Sequence, residues 1–335
     1  MQKGNALWML ALVSVLALYG CRAEEEPQPQ RAVPVTQPAP ELTPSKGTAE
    51  NPWVVGMSQC NLGEPWRVQM NEDVRAAAEK QPGLEVVFKD ASNDTQKQRA
   101  HVDEFLAQGV DLLIVSPKEA APLTPPVRRV YEKGIPVVVL DRKILGDTYT
   151  CFIGADNVKI GYEAGKHIAE TLLKGKGNVV ELKGLMTSTP GQERNEGFRN
   201  AIKAHPDIKV IFEADCKWLE PNGRKEMESA LARFDDIDVV YAHNDPQAHG
   251  AWIAAKAAGR ENDIRFVGID ALTHEGVQYV QKGVLDATLQ YPTGGVEAID
   301  IALKILAGET VPKNITLGTR IFTTENVDQG GQSID

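Results

Sequence analysis

The sequence is poor in cysteine, in aromatic residues and in positive charge. Its 335 residues include four Cys, and 6% of them are aromatic. Four cysteines are too few for the disulfide framework of a small secreted domain. Cys60, Cys151 and Cys216 are expected to be buried thiols, with a disulfide between two of them left open. Lys and Arg number 36 against 46 Asp and Glu, a formal net charge of −10. This balance argues against a nucleic-acid binder, whose affinity depends on clustered cations.

Motifs that would identify an enzyme or a cofactor site are also missing. The sequence contains no G-x-x-x-x-G-K-[ST], no G-x-G-x-x-G after its first predicted strand and no G-x-S-x-G. Nucleotide binding and a serine-hydrolase site are therefore unsupported. The six His are scattered, and His274-Glu275 lacks the second His of a zinc helix. We expect no catalytic residue, metal or cofactor, and keep an enzyme that acts on a sugar only as an alternative.

The one long apolar run lies at the N-terminus. Residues 6–18 form an almost uninterrupted apolar run of 13 residues, which is short of the ~20 that span a bilayer and typical of a secretory signal. Leu18, Gly20 and Cys21 then resemble the bacterial lipoprotein processing site, where the cysteine receives a diacylglycerol. We expect a signal peptide over residues 1–20 and a lipid anchor at Cys21. Ordinary cleavage that leaves Cys21 free is the alternative.

Residues 21–52 have the composition of a tether. They hold seven of the 20 prolines and show no apolar period, so they cannot bury a core and are expected to be extended. This leaves 283 residues, 53–335, for the folded part. That length is large for one core and favours two lobes.

The folded part alternates short Val/Ile/Leu-rich runs with amphipathic helices. Such strands, separated by helices, predict parallel sheets buried on both faces. Strands are predicted at 53–58, 84–88, 111–115, 135–140, 178–183, 208–213, 238–242 and 264–269. Helices are predicted at 65–80, 96–108, 157–173, 191–204, 222–234 and 246–258. The pattern predicts an α/β fold of two doubly wound, Rossmann-like lobes. That three crossovers join these lobes is implied by the family resemblance described below. We assign residues 53–154 and 291–325 to an N-terminal lobe, 155–290 to a C-terminal lobe and 326–335 to a tail.

Polar and aromatic residues follow most of the predicted strands, where the ligands of such sheets bind. The segments are 58–60, 64–67, 141–142, 192–194, 216–218, 243–245, 270 and 290–292. Carboxylates, amides and guanidiniums can engage adjacent sugar hydroxyls, and the apolar face of a sugar packs on an aromatic ring. The candidate ligand contacts are Trp66, Arg67, Asp141, Arg142, Arg194, Trp218, Asn244, Asp270 and Gln290.

The charges at these strand ends are balanced. Three arginines and three aspartates are involved: Arg67, Arg142, Arg194, Asp141, Asp245 and Asp270. The balance favours a neutral ligand, because a phosphorylated or carboxylated sugar would call for surplus cation. Each candidate also has a structural alternative, such as a core position for a tryptophan, an ion pair for an arginine or a helix cap for Asn244. Asn157 is expected to cap the helix that begins beside it.

Several stretches together resemble the periplasmic sugar-binding proteins of the ribose-binding type. They are residues 140–142, 154–157, 179–184, 193–198, 241–245 and 268–270. The likeness covers nearly all of 53–325 and implies the type I periplasmic binding protein fold. The positions that bind sugar hydroxyls in that family match Asp141, Arg142, Arg194, Asn244, Asp270 and Gln290. Trp66-Arg67, where plain ribose binders have two phenylalanines, looks closer to the galactofuranose-binding branch.

The resemblance implies a solute-binding protein of an ABC transporter. Two lobes would close on a neutral monosaccharide, a pentose or a furanose-form hexose, and deliver it to a membrane permease. An alternative with the same fold is a sugar sensor whose closed form docks on a membrane kinase or chemoreceptor. The export signal and the missing DNA-binding helices argue against a sugar-responsive repressor. We expect a monomer in the periplasm or at the outer face of the cell membrane, with no nucleic-acid partner.

Overall fold

The computed structural model describes residues 45–334. The predicted signal peptide, Cys21 and most of the predicted tether lie outside this range. Within it, strands and helices alternate. The elements up to the first crossover are β1 (Trp53–Gln59), α1 (Pro65–Ala78), β2 (Leu84–Asp90), α2 (Thr95–Gln108), β3 (Leu112–Ser116), α3 (Ala120–Glu132), β4 (Val137–Leu140) and β5 (Cys151–Ala155).

The second half of the chain repeats the alternation. Its elements are α4 (Asn157–Lys166), β6 (Lys176–Lys183), α5 (Thr189–Ile202), β7 (Asp207–Asp215), α6 (Glu220–Leu231), β8 (Val239–Ala242), α7 (Asp245–Ala257), β9 (Arg265–Asp270), α8 (Gly276–Gln281), β10 (Ala287–Gln290), α9 (Gly295–Leu306), β11 (Asn314–Leu317), β12 (Arg320–Thr323) and β13 (Gln332–Ser333). A π-helical turn, His167–Leu172, follows α4.

The described strands form two sheets, one for each lobe. The N-terminal lobe has the order β11-β5-β4-β3-β1-β2, with every pair parallel. The C-terminal lobe has the order β13-β12-β10-β9-β8-β6-β7, in which β12 and β13 are added antiparallel. The predicted fold of two doubly wound α/β lobes is confirmed.

Alternate residues of the central strands face two different helix layers. In β3, Leu112 and Ile114 pack in the cluster that contains Trp66 of α1. Leu113 and Val115 pack in the cluster that contains Phe105 of α2. Because successive side chains of a strand point to opposite faces, a strand covered on both sides must be apolar throughout.

Polar residues fix where the helices begin. The Asp94 side chain accepts hydrogen bonds from the amides of Gln96 and Lys97 at the start of α2. At α4 the cap is Asp156, which accepts from the Lys159 amide, and the expectation that Asn157 is the cap is wrong. Asn157 is the first helical residue and is buried, so its amide serves another purpose, described below.

The chain passes between the lobes three times, at residues 155–157, 290–295 and 317–320. The assignment of residues up to 325 to the N-terminal lobe is wrong, because β12 pairs with β10, with Leu289 opposite Ile321. The tail belongs to the same sheet through β13. The folded part also begins before residue 53, since Lys46 forms an ion pair of 3.0 Å with Asp111. Among residues 45–334, no helix combines the length and apolar character needed to cross a bilayer.

Candidate functional site

A small cavity lies between the lobes, at the carboxyl ends of both sheets. It is lined by Glu64, Trp66, Arg67, Asp141, Arg142, Pro190, Arg194, Trp218, Asn244, Asp270 and Tyr291. The structure therefore brings eight of the nine predicted contact residues together. The ninth, Gln290, lies outside this cavity and lines a neighbouring groove.

The N-terminal lobe contributes a hydrogen-bonded ion pair. Arg67 Nη2 donates to Asp141 Oδ2 at 2.8 Å, and Arg67 Nη1 donates to Ser116 Oγ at 2.8 Å. Ser116 Oγ donates in turn to Asp141 Oδ2 at 3.2 Å, and Arg142 Nε lies 3.7 Å from the same oxygen. Burial opposes ionisation of Asp141, but the charges of Arg67 and Arg142 outweigh it and lower the pKa of Asp141. This carboxylate is ionised before any ligand arrives.

Local sequence explains why these groups meet. Pro65 begins α1 after a short loop, residues 60–64, that follows β1, and proline is well suited to a first helical position. Trp66 and Arg67 are therefore held in the first turn, at the sheet edge. Asp141 follows β4 with a left-handed φ of 68° and donates its amide to Ile153 O at 2.8 Å. Aspartate tolerates that conformation better than most residues.

The C-terminal lobe contributes Arg194, which is 2% exposed. Its Nε donates to Asn157 Oδ1 at 2.8 Å, and its Nη1 donates to the His243 carbonyl. Two glycines let α4 and α5 approach closely enough for this contact. A Cβ at Gly161 would lie 2.2 Å from Arg194 O, and one at Gly197 would lie 2.0 Å from Val158 O. The close helix packing thus places Asn157 beside Arg194.

Asp270, at the end of β9, differs from Asp141. It is 5% exposed, and its side chain accepts no hydrogen bond from the described residues. The nearest cation is Arg194, whose Nη1 lies 3.8 Å from Oδ1. Burial raises the pKa of Asp270 well above its ordinary value; Arg194 opposes the shift, and Asp245 and Glu275 add to it.

Asn244 has a structural role as well as a place at the cavity. Its Oδ1 caps α7 by accepting from the Gln247 amide at 3.1 Å, and its Nδ2 donates to the Trp218 carbonyl at 3.0 Å. The next residue, Asp245, faces away from the cavity. It accepts from the Ala271 amide at 2.8 Å and from the Thr288 hydroxyl at 2.6 Å.

The third carboxyl group at the cavity is that of Glu64, whereas the sequence predicted Asp245. Glu64 is 6% exposed, accepts from Asn61 Nδ2 at 2.9 Å and lies 3.6 Å from Arg67 Nε. The cavity therefore holds three arginines and three carboxylates. The predicted count of three arginines to three carboxyl groups remains, with one member exchanged.

Two tryptophans form opposite walls. Trp66 is stacked on Tyr291, with ring centroids 5.2 Å apart, and its Nε1 donates to Tyr291 O at 2.7 Å. Trp218 lies 5.4 Å from the guanidinium carbons of both Arg142 and Arg194. Its Nε1 is buried and has no acceptor among the described residues.

Glu64, Pro190 and Tyr291 are cavity residues that the sequence analysis did not select. Glu64 and Tyr291 lie in strand-end segments that it named, whereas no sequence signal marks Pro190. Tyr291 replaces Gln290 because successive side chains of an extended chain point to opposite sides. The side chain one residue beyond the end of β10 is the one that faces the cavity.

The lobes are closed. Across the cleft, Lys143 Nζ lies 2.7 Å from Glu193 Oε1, and the Lys143 amide donates to Thr189 Oγ1 at 3.0 Å.

Cys60, Cys151 and Cys216 are free and buried. In the part of the chain that the structure describes, no group of three or more His, Cys, Asp or Glu is arranged to hold a metal ion.

Two parallel-sheet lobes, closed over a buried cavity and joined by three crossovers, define a hinged ligand-binding protein. A family model of the periplasmic binding protein domain matches residues 55–310, and the chain belongs to this family.

Individual relatives are similar over most of their length. The ribose import binding protein RbsB of Bacillus subtilis is 31% identical over 84% of this chain and 90% of its own. The galactofuranose-binding protein YtfQ of Escherichia coli is 31% identical over 79% and 86%. Among solved structures, the fructose-binding periplasmic domain of the hybrid two-component system BT1754 is 46% identical, with a TM-score of 0.80 over 83% of this chain and 93% of that one.

Proposed function

We propose that the protein binds a neutral monosaccharide in its furanose form between the two closing lobes and presents the closed complex to a membrane permease. The observation that carries the proposal is a set of unpaired donors and acceptors around one buried cavity. Arg67 Nε, Arg142 Nε and Trp218 Nε1 are buried N–H groups without a hydrogen-bond acceptor in the described chain. Glu64 and Asp270 offer carboxylate oxygens beside them.

Hydroxyl groups suit this set better than a charged group does. Each sugar hydroxyl donates one hydrogen bond and accepts two, so it can use the N–H groups and the carboxylates together. An anionic ligand would lie beside three carboxylates, and a cationic ligand beside three arginines. Either would leave buried charge without a partner, which is costly.

The side chains that line the cavity support a sugar ring as the ligand. The walls at Trp66 and Trp218 can pack on the apolar faces of a ring.

The relatives support the furanose form. One similar structure is of a galactofuranose-binding protein, and another is bound to α- and β-L-arabinofuranose, at 28% and 29% identity. The fructose-binding domain at 46% identity makes fructose the first sugar to test. That domain belongs to a hybrid two-component system, and this origin favours a sensor that docks on a membrane kinase as the second candidate function.

The proposal keeps the predicted signal peptide, lipid anchor and tether of the N-terminal segment. Export by the signal at residues 1–20 and a lipid at Cys21 would hold the binding domain at a membrane facing the periplasm, through the tether. Mass spectrometry of the mature N-terminus tests the lipid. Neighbouring genes for a permease and an ATPase would favour transport, and a neighbouring membrane kinase would favour sensing.

Isothermal titration calorimetry against a panel of sugars tests the ligand class. The panel comprises D-fructose, L-arabinose, D-galactose, D-ribose, myo-inositol and fructose 6-phosphate. We expect at least one neutral sugar to bind with a Kd of about 1 μM or tighter, and the phosphate ester to bind far more weakly. Binding of only the phosphate ester would overturn the charge argument.

Trp66→Ala tests whether the aromatic wall contacts the sugar. We expect affinity to fall by about 2 kcal/mol, because a stacked ring face is lost. The matched control is Trp252→Ala, a tryptophan on α7 that does not line the cavity. Unchanged affinity in Trp66→Ala would remove this residue from the site.

A further inference from the structure

Tyr291 joins parts of the chain that belong to different lobes. It lies in the second crossover, directly after β10, and is 2% exposed. Its hydroxyl donates to the Asp141 carbonyl at 3.2 Å, in the N-terminal lobe. The same hydroxyl accepts from Asn157 Nδ2 at 3.3 Å, in the first crossover. One phenol oxygen therefore ties two crossovers to the strand end that carries Asp141.

The same residue also touches a binding side chain of each lobe. The Arg194 guanidinium carbon lies 4.6 Å from the centre of the Tyr291 ring, within the range of a cation–π contact. In the N-terminal lobe, Trp66 stacks on the Tyr291 ring and donates from its Nε1 to the Tyr291 carbonyl. Asn157, held by the tyrosine hydroxyl, accepts from Arg194 Nε. The positions of Arg194 and Trp66 thus depend on where the second crossover lies.

The third crossover is linked to the second by a separate contact. Thr319 Oγ1 donates to the Gln290 carbonyl, one residue before Tyr291. The three connections that must bend when the lobes move are therefore joined at residues 290–291. Hinge motion is absorbed by a few residues at the ends of such elements.

Given the sugar-binding function proposed above, we propose that Tyr291 is a positioning residue that couples lobe closure to sugar binding. Its hydroxyl holds the crossovers in the closed arrangement, and this arrangement places Arg194 and Trp66 against the ligand. Tyr291 would act through these two residues, and its hydroxyl needs no contact with the sugar. Since it stabilises the closed state, it slows release of the sugar more than it speeds capture.

Tyr291→Phe tests the hydroxyl while keeping the ring. We expect about tenfold weaker affinity for the sugar identified by calorimetry, carried mainly by faster dissociation in stopped-flow measurements. The matched control is Tyr149→Phe, which removes another buried tyrosine hydroxyl, bonded to Asn314 Oδ1 at 3.2 Å within the N-terminal lobe. The control is expected to change affinity less than twofold, roughly the effect of a residue remote from the site.

Coupling distinguishes a positioning role from a merely structural one. Asn157→Ala and Tyr291→Phe should be strongly non-additive in sugar affinity, because both break the same hydrogen bond. The thermal midpoint of Tyr291→Phe should remain close to that of Tyr149→Phe. Additive losses of affinity, or a loss that appears only as a lower thermal midpoint, would contradict the proposal.

Hydrogen exchange in the sugar-free protein gives a readout that does not depend on the ligand. We expect Tyr291→Phe to speed exchange at amides of residues 155–157, 291–294 and 317–320, and Tyr149→Phe to leave them unchanged. If no sugar bound to the wild-type chain, the proposed function would fail, while this comparison would still decide the role of Tyr291. Unchanged exchange and unchanged affinity in Tyr291→Phe would overturn that role.

Discussion

The two lobes offer the cavity one principal aspartate each, and the two carboxyl groups are in opposite electrostatic conditions. Asp141 accepts from Arg67 at 2.8 Å and from Ser116 at 3.2 Å, and its pKa is lowered. The Asp270 side chain accepts no hydrogen bond from the described residues, lies 3.8 Å from Arg194 and has a raised pKa. Both are buried to the same degree, at 3% and 5% exposure. The opposite pKa shifts of the two carboxyl groups therefore come from their different partners and not from different burial.

This difference indicates that the two lobes contribute to ligand binding in different ways. The N-terminal half of the cavity is preorganised, since Asp141 is charged and oriented by the fold itself. The C-terminal lobe has Asp270 at the cavity and two further buried carboxyl groups nearby, Asp245 and Glu275. Burial raises the pKa of Asp245 and of Asp270, and Arg194 only partly opposes these two shifts. A ligand hydroxyl would give Asp270 the hydrogen bond that the protein does not supply. We infer that the N-terminal lobe orients the sugar. The C-terminal lobe is then the one that sugar binding stabilises more, because Asp270 gains a hydrogen-bond partner.

The largest expected effect comes from removing one carboxylate charge in each lobe. Asp141→Asn should lower the free energy of unfolding of the sugar-free protein by about 3 kcal/mol, because buried Arg67 loses its ionised partner. Asparagine keeps the left-handed backbone at this position acceptable, so the variant isolates the charge. Urea unfolding monitored by circular dichroism measures the change.

Asp270→Asn is the matched variant in the other lobe. Its stability should stay within about 1 kcal/mol of wild type, since a neutral amide is easier to bury than a carboxyl group that accepts no hydrogen bond. Both variants should weaken sugar binding by at least about 2 kcal/mol. Equal losses of stability in the two variants would break the contrast between the lobes.

A second effect concerns Glu275, which lies at the start of α8. It is 8% exposed, its Oε2 has no hydrogen-bond partner among the described residues, and burial with the nearby Glu220 raises its pKa from 4.5 to about 7. The folded state therefore binds this proton more tightly than the unfolded state does. The resulting stabilisation is complete below pH 4.5 and is lost as the pH rises through about 7. Glu275→Gln should raise the free energy of unfolding at about pH 8 by about 2 kcal/mol.

The same variant provides its own control at low pH. Near pH 4.5 the wild-type side chain is protonated in the folded state, so Glu275→Gln should then have almost no effect. Unfolding curves across this range measure the difference at each pH. A stabilisation that is constant with pH would show that charge is not the cause.

The sequence predicted the cavity edge but not the pairing within it. Asp141 and Asp270 were selected because each follows an apolar strand, and parallel strands bring their carboxyl ends to one edge. Which aspartate receives a partner depends on Arg67 reaching across from α1, a contact over 74 residues. Local patterns carry no information on such contacts.

Asp245 and Gln290, which the sequence placed at the strand ends, lie outside the cavity lining for specific physical reasons. Asp245 turns away because glycines leave room for it: a Cβ at Gly268 would lie 2.1 Å from Asp245 Oδ1. Gln290 faces away because the last side chain of β10 lies on the other side of the chain from Tyr291.

Strand β11 was not predicted at all, since its residues alternate between exposed and half-buried and lack the apolar run of the central strands.

The smallest expected effect is the pH dependence of sugar affinity, which tests Asp270 directly. A sugar hydroxyl that donates to Asp270 favours the ionised form, so the pKa of this carboxyl group falls from its raised value when the sugar binds. Binding then releases a proton at pH values between the lower pKa of the complex and the raised pKa of the free protein. Affinity should increase with pH in that range, by at most about tenfold per pH unit, and become constant above it.

Calorimetry in two buffers of different ionisation enthalpy, from about pH 5 to pH 8, counts the released protons. Asp141 should contribute nothing above about pH 5, because its pKa is already lowered in the free protein. Asp270→Asn should bind more weakly and lose most of the pH dependence, whereas a variant at Asp141 should keep it. Proton release that persists in Asp270→Asn would assign the titration to another group, and Asp245 and Glu275, the carboxyl groups that add to its shift, would be tested next.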